Sequence, residues 1–315
     1  MTGASGMLGR GTAAALAGRG DDVRVLQRRG GGLGVDEVLG DVSDPDAVRA
    51  AVDGCEAVVH LAARVSVTGA WSDFAQTNIT GTRLLLGAAR EAGVARFVHV
   101  SSPSVAHAGA PLVGASAERA DPARTRGYYA RSKAVAELAA LAASSPGFAV
   151  VAIRPHLVWG PGDQQLVGRV VARARAGRLV LIDAGNALID TTYVDNAVSA
   201  LVSALDRAPD VAGRALVVSN GEPRTVAELL GRICRAAGAP PPTRSVPRLA
   251  ALAAGAAVER LWSVRHGDDE PPMTRFLAEQ LSTAHWFDQR ETRAALRWRP
   301  TVSLAEGFSR LAAAR

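Results

Sequence analysis

Lysine is almost absent from this chain of 315 residues: of 36 basic residues, 35 are arginine and one is Lys133. Tyrosine is nearly as scarce, with three in all, and two of them, Tyr128 and Tyr129, stand just before that lysine. Cysteine numbers two, Cys55 and Cys234. They lie far apart and without metal-ligand spacing, which argues against a disulfide framework or a zinc site and fits a reducing compartment. No signal peptide is visible, and the longest apolar stretch, Leu249 to Val258, falls far short of the ~20 residues needed to cross a bilayer. The expectation is a cytoplasmic protein with no metal and no membrane span. The net charge of +6 and pI near 10.2 come from scattered arginines. No basic run with interleaved aromatics appears, so nucleic acid is not the expected partner.

What is present alternates. With 48% apolar residues the chain can bury a sizeable core. In its first half, short β-branched runs (Val23 to Leu26, Ala57 to Leu61, Arg96 to Val100, Ala149 to Ile153) alternate with helical stretches. The helices are expected over Gln76 to Ala92 and Tyr128 to Ala143, with another started by Asp44-Pro45 and closed by Gly54. That rhythm predicts an α/β fold, a doubly wound parallel sheet. Beyond Pro155 it loosens into a loop at Gly160-Pro161-Gly162, helices over Leu166 to Ala176 and Thr225 to Ala237, and a strand over Ala215 to Val218. Pro240-Pro241-Pro242 is a stiff boundary, and 246 to 286 is the least regular part, with a break at Pro271-Pro272. The expected division is a dinucleotide-binding domain over 1–160 and a smaller substrate-binding part over 161–315, partly interleaved with the first sheet.

The opening T-G-A-S-G-M-L-G sets Gly3, Gly6 and Gly9 before an Ala-rich helix. Glycines permit a tight turn and let a pyrophosphate reach the unpaired N–H groups of a helix N-terminus. The next strand ends in Gln27-Arg28-Arg29. An acid near this position would bind ribose hydroxyls, whereas an arginine accommodates a 2′-phosphate; the residues favour NADP(H), with NAD(H) the alternative. Asp41 follows the next short strand and is placed for the adenine edge.

The central constellation is Tyr129-Ala130-Arg131-Ser132-Lys133. Four apart on a helix, phenol and ammonium share one face, and the cation is expected to draw the phenol's pKa down toward the operating range. A serine cluster, Ser101, Ser102 and Ser104, follows a strand. Ser102 at its C-terminal end is placed to hold a substrate oxygen.

Together with H-L-A-A (from His60), N-I-T-G-T (from Asn78), R-P-H-L-V-W-G-P-G-D (from Arg154) and D-T-T-Y-V-D-N-A (from Asp190), these motifs resemble the extended short-chain dehydrogenase/reductases. Within them the chain is most similar to the 3β-hydroxysteroid dehydrogenase branch and to bacterial 2-alkyl-3-oxoalkanoate reductases. Such members normally carry a central strand before the glycine turn. Here Met1 directly precedes Thr2-Gly3, so neighbouring strands are expected to lack a partner and the turn its anchor, as in a chain trimmed or assigned a start too far downstream, the alternative being a degenerate chain that folds poorly.

The resemblance implies Tyr129 as acid/base, Lys133 as its activator and ribose ligand, and Ser102 as donor to the substrate oxygen. It implies that Asn78 holds the active-site helix and a relay water. The cofactor is implied to lie along Gly3, Ser5, Gly6, Met7, Leu8 and Gly9, then Gln27, Arg28, Asp41 and Val42. Leu61, Ala62 and Ala63 would line it, with Pro155 and Leu157 at the nicotinamide. His156 between those two is read as pocket wall before second acid. The reaction expected is ketone/secondary-alcohol interconversion on a hydrophobic 3-oxo acid or sterol-like substrate. Residues 249 to 258, Leu261, Trp262, Phe276, Leu277, Trp286 and Phe287 are candidates for an apolar pocket or for ordinary core. Arg169, Arg173 and Arg175 hint at an acidic or acyl-carrier substrate. The alternatives are a nucleotide-sugar epimerase and a non-catalytic dinucleotide sensor. A homodimer through two helices per subunit is what the resemblance implies for assembly.

Overall fold

The computed structural model describes residues 1–66, 68–106, 109–263 and 274–314; the expected Pro271-Pro272 break lies outside them. The first half runs α1 (Met7–Gly18), β1 (Arg24–Gln27), β2 (Asp36–Leu39), α2 (Pro45–Val52) and β3 (Ala57–His60). Next come α3 (Trp71–Phe74), a π-helical turn (Ala75–Thr80), α4 (Gly81–Glu91), β4 (Arg96–Val100), β5 (Leu112–Ala115), α5 (Tyr128–Ala142) and β6 (Ala149–Pro155).

The second half begins with β7 (Val158–Trp159), α6 (Val167–Arg175), β8 (Leu181–Ile182), β9 (Leu188–Ile189), β10 (Thr192–Tyr193) and α7 (Val194–Arg207). It continues through β11 (Ala215–Val218), β12 (Arg224–Thr225), α8 (Val226–Ala236) and β13 (Ser245–Val246). It closes with α9 (Arg248–Ser263), α10 (Arg275–Ser282), β14 (His285–Phe287), α11 (Arg290–Leu296) and α12 (Leu304–Ala313). Helix starts follow local chemistry. Asp44 caps α2 by accepting from the Asp46 amide, with Pro45 in first place, and Thr225 caps α8 through the Glu228 amide.

The main sheet is parallel, in the order β2-β1-Thr2-β3-β4-β6-β11. The position between β1 and β3 corrects the expectation of an unanchored turn. The Leu26 amide donates to the Met1 carbonyl (2.8 Å), the Thr2 amide to Val59 O (3.1 Å) and the Leu61 amide to Thr2 O (3.3 Å). A single residue thus bridges both neighbours and delivers the chain to the glycine turn at the sheet's C-terminal edge. There the strand order reverses, which is where open parallel sheets bind ligands.

Each face of the sheet is covered because its central strands are apolar on both sides; β2, at the edge, is Asp-Glu-Val-Leu and has no buried residue. Leu16 of α1 and Leu201 and Leu205 of α7 pack on Val59, Val98, Val151 and Ile153. Val48, Leu85 and Ala140, from α2, α4 and α5, pack on Leu26, Val58, Phe97 and Val150 on the other face. A separate core of Trp159, Tyr193, Leu229, Ile233 and Phe308 supports the second half. Between α5 and β6, Arg154 makes a bidentate pair with Glu137 (2.6 and 2.8 Å), both side chains 1% exposed. It fixes the helix that carries Tyr129 to β6, the last strand but one of the sheet.

Among the described residues, no helix is long and apolar enough to cross a membrane, and no three His, Cys, Asp or Glu side chains group as metal ligands.

Candidate active site

The glycine turn is built by close approach. A Cβ on Gly3, whose φ is +74°, would stand 2.6 Å from Ala62 N, and one on Gly9 would stand 2.1 Å from Gly3 O. Gly6 differs. It is the N-cap of α1 at φ −80°, and a Cβ there would meet no protein atom closer than 3.7 Å. Packing within the chain does not demand glycine at this position, and its openness leaves room for a group to approach the backbone. No side chain caps α1, so its first amides face the open lip formed by Ser5 and Gly6, with Met7 and Leu8 half-buried behind.

At the end of β1 the carboxamide of Gln27 is buried, and neither its nitrogen nor its oxygen has a hydrogen-bond partner among the described residues. Such a group signals a partner supplied from outside the chain. Arg28 and Arg29 beside it are exposed. Asp41 accepts from the amide and hydroxyl of Ser43 (2.9 and 2.8 Å) and lines a cavity of about 470 Å³ with Arg64, Gln76 and Thr77. Val42 is buried against Gly81. Glycine cradle, open helix terminus and lone carboxamide fit a dinucleotide.

At the C-terminal edge of β4 and β6 the reactive groups meet. Tyr129 and Ser102 are neighbours here, the serine acting on the phenol's protonation, and Ser102 Oγ is 2.9 Å from that of Ser104. Lys133, one turn along α5, is buried and donates through Nζ to Val100 O at 2.6 Å. Burial lowers its pKa from 10.5 to about 8, against the pull of Glu137. The phenol behaves differently from the sequence expectation. Burial raises the pKa of Tyr129, and the group that opposes this rise is Ser102 rather than Lys133.

Asn78 ties this helix down from inside the π-helical turn. Its side chain accepts from the Arg64 amide (2.7 Å) and donates to Arg64 O (3.2 Å) and Ser132 Oγ (2.9 Å). Ser132 in turn donates to Tyr129 O (2.9 Å). Ala62 donates to Thr2 Oγ1 (3.1 Å), which sets the wall formed by Leu61, Ala62 and Ala63 against the turn. Pro155 ends β6 opposite Val218, and Leu157 just beyond it holds φ at +43°.

His156 is held by Nε2 to His285 Nδ1 (3.1 Å) and lies edge-on to Phe287. Of the apolar candidates, Phe287 is buried there, whereas Leu249 and Leu261 are 81% and 63% exposed. A second cavity, of about 640 Å³ between Trp71, Arg83, Pro122 and Arg131, has none of the catalytic candidates in its walls.

Sequence reasoning missed two buried imidazoles beneath this site, His60 and His99, whose rings lie 5.5 Å apart on adjacent strands. Their signal was available, since each is the fourth residue of a short apolar strand run.

Residues 1–219 match the model of the NAD dependent epimerase/dehydratase family. The chain is 41% identical to a 2-alkyl-3-oxoalkanoate reductase of Stenotrophomonas maltophilia (strain K279a) over 99% of its own length and 98% of the relative's. It is 38% identical to a protein of the same name from Shewanella oneidensis, over 99% and 85% of the two chains. More distant relatives are named 3β-hydroxysteroid dehydrogenases. Among solved structures it superposes on a short-chain dehydrogenase/reductase superfamily protein of Agrobacterium tumefaciens with bound NAD, at TM-score 0.76 and 24% identity, covering 100% and 95% of the chains. The chain therefore belongs to the NAD dependent epimerase/dehydratase family, the extended short-chain dehydrogenase/reductases, and is an oxidoreductase.

Proposed function

We propose that this enzyme interconverts a ketone and a secondary alcohol on a hydrophobic 3-oxo acid, using NADP(H). The observation that carries the reading is the placement of Tyr129 beside Ser102 at the sheet edge, with the only lysine of the chain one helical turn away and fastened to Val100 O at 2.6 Å. The bound dinucleotide would supply or accept the hydride. Gly3, Gly6 and Gly9 would hold its pyrophosphate, Gln27 and Arg28 its ribose end, and Asp41 its adenine edge. Ser102 and Tyr129 hold the substrate oxygen between two hydroxyls, and in reduction Tyr129 gives its proton to that oxygen. The raised pKa of Tyr129 keeps the phenol protonated and ready to donate. The exposed Arg28 and Arg29, with no acid at the strand end, support a 2′-phosphate. The names of the two relatives support a 3-oxo acid.

The test is NADPH oxidation with 2-alkyl-3-oxo acids, ketosteroids and sugar nucleotides in parallel. Turnover of a 3-oxo acid, lost in Tyr129→Phe with NADPH affinity retained, is the expected result. Sugar-nucleotide turnover without added NADPH would replace the reading with an epimerase. A Tyr129→Phe protein of undiminished function would make it a sensor.

A further inference from the structure

We infer that His60 is a positioning residue, the middle of a one-way hydrogen-bond chain that holds the glycine turn and the Tyr129 helix in register, so that dinucleotide binding and the orientation of Tyr129 are coupled. The role given to Tyr129 rests on the reading above; the chain of bonds does not.

Its direction follows from the atoms at its ends. Asn78 O can only accept, so Thr82 Oγ1 at 2.6 Å donates its one proton there. Toward His60 Nε2, 2.9 Å away, the Thr82 oxygen is then the acceptor, and Nε2 carries the hydrogen. A neutral imidazole leaves Nδ1 bare, and it accepts from the Thr2 hydroxyl at 2.7 Å. The Thr2 oxygen accepts in turn from the Ala62 amide at 3.1 Å. Every proton is assigned, and the order cannot be reversed, because a carbonyl cannot donate and an amide cannot accept.

The chain connects two working parts. Thr2 precedes Gly3, which lies so near Ala62 that a Cβ on it would stand 2.6 Å from Ala62 N. At the far end Asn78 continues through its side chain to Ser132 and so to Tyr129. Thr2, His60, Thr82, Asn78 and Ser132 are all at most 1% exposed, so water cannot substitute for a broken link and each bond constrains the next. His60 stays neutral because burial, with the charge on Lys133, lowers its pKa to about 3. The network therefore keeps one tautomer across the working range.

Thr82→Val removes the hydroxyl from α4 at nearly constant shape, while Thr82→Ser keeps it; Thr2→Val and Thr2→Ser do the same at the turn. These pairs avoid emptying the His60 site, where a truncated variant would fail to fold. Two measurements apply: the dissociation constant for NADPH, and amide exchange over residues 131–136 in the protein alone. Thr82→Val should weaken NADPH by about fivefold, a coupling of ordinary size for contacting residues, with Thr82→Ser close to the native value. Thr2→Val should speed exchange at 131–136 and leave α12 unchanged, and the double variant should bind no more weakly than the worse single one. Additive losses, or faster exchange confined to the altered segment, would overturn the proposal. A native chain that bound no NADPH would sink the dinucleotide reading instead, and the exchange data would still decide the coupling.

Discussion

The ammonium of Lys133 donates to the carbonyl of Val100, the last residue of β4, at 2.6 Å. The one lysine of the chain is thereby fastened to the strand that leads into Ser102, and it joins helix and strand edge where the reactive hydroxyls converge. A compact ammonium can be buried at this carbonyl; a planar guanidinium is too wide, which gives a physical reason for the exception in an arginine-rich chain.

That burial has a measurable cost. The pKa of Lys133 is about 8 in the folded chain against an ordinary 10.5, so between those values the unfolded chain binds a proton that the folded chain has released. The penalty, about 3 kcal/mol by linkage, is full below about pH 8 and is relieved as pH rises toward 10.5. Lys133→Met should abolish turnover, match or exceed native stability at pH 7, and flatten the rise in stability between pH 8 and 10.5. Urea unfolding across pH checks this, and an unchanged slope in the variant would refute it.

His99 offers the acid-side counterpart. It is fully buried, neither ring nitrogen has a hydrogen-bond partner among the described residues, and burial followed by the charge of Lys133 puts its pKa well below 6.5. As pH falls below 6.5 the unfolded chain takes up a proton that the folded imidazole refuses, and stability is lost. His99→Leu should stabilise the protein by about 1 kcal/mol at neutral pH, since it removes unsatisfied polar atoms. It should also move the acid-unfolding midpoint to lower pH, and a midpoint that stays or rises would count against the account.

The arginines after β1 should set cofactor choice. Under the proposed NADP(H) reading, replacing Arg28 with Asp would remove a phosphate donor and place a carboxylate at the ribose end. NADPH affinity should fall by about tenfold or more, as for loss of a charge-assisted hydrogen bond, while NADH affinity holds or improves. Titration with both dinucleotides decides it, and an equal loss for the two would rule out a 2′-phosphate contact.

Arg154 and Glu137 form a closed pair in the core. Glu137→Leu strands the guanidinium and should cost about 3–5 kcal/mol, whereas Arg154→Met with Glu137→Leu should recover most of that loss. Chemical denaturation of the three variants tests the coupling; simple addition of two losses would show that the ions act separately.

Much of this arrangement was readable from the chain, and the failures have identifiable causes. Strands over Arg96 to Val100 and Ala215 to Val218 form as the apolar runs indicate. Strand β6 runs on through Arg154 and Pro155, because the Arg154 charge is satisfied by Glu137 and Pro155 sits at the strand's last position, where the His156 amide takes over the bonding to Val218. Helix α7 escaped notice although its V-S-A-L-V-S-A-L repeats every four residues, a helical spacing, with Ala200, Leu201, Ala204 and Leu205 on the buried face. The stretch from Gln76 to Ala92 reads as one helix because six residues are too few to separate a π turn from an α turn by periodicity. The site motifs were visible in sequence. The direction of the Tyr129 shift was not, since it depends on burial and on Ser102, neither of which spacing reveals.

The widened turn at Ala75–Thr80 has a consequence for how this helix tolerates change. A π turn holds roughly one residue more than an α turn, so deleting a single residue there would let the coil tighten to α geometry with the flanking segments nearly in phase, and the side chains within the turn would be re-aimed. Asn78 would then point away from Ser132 while Gly81 to Glu91 stayed seated. Length, as much as identity, is under constraint in those six positions, and a shortened variant should keep its fold while losing its aim.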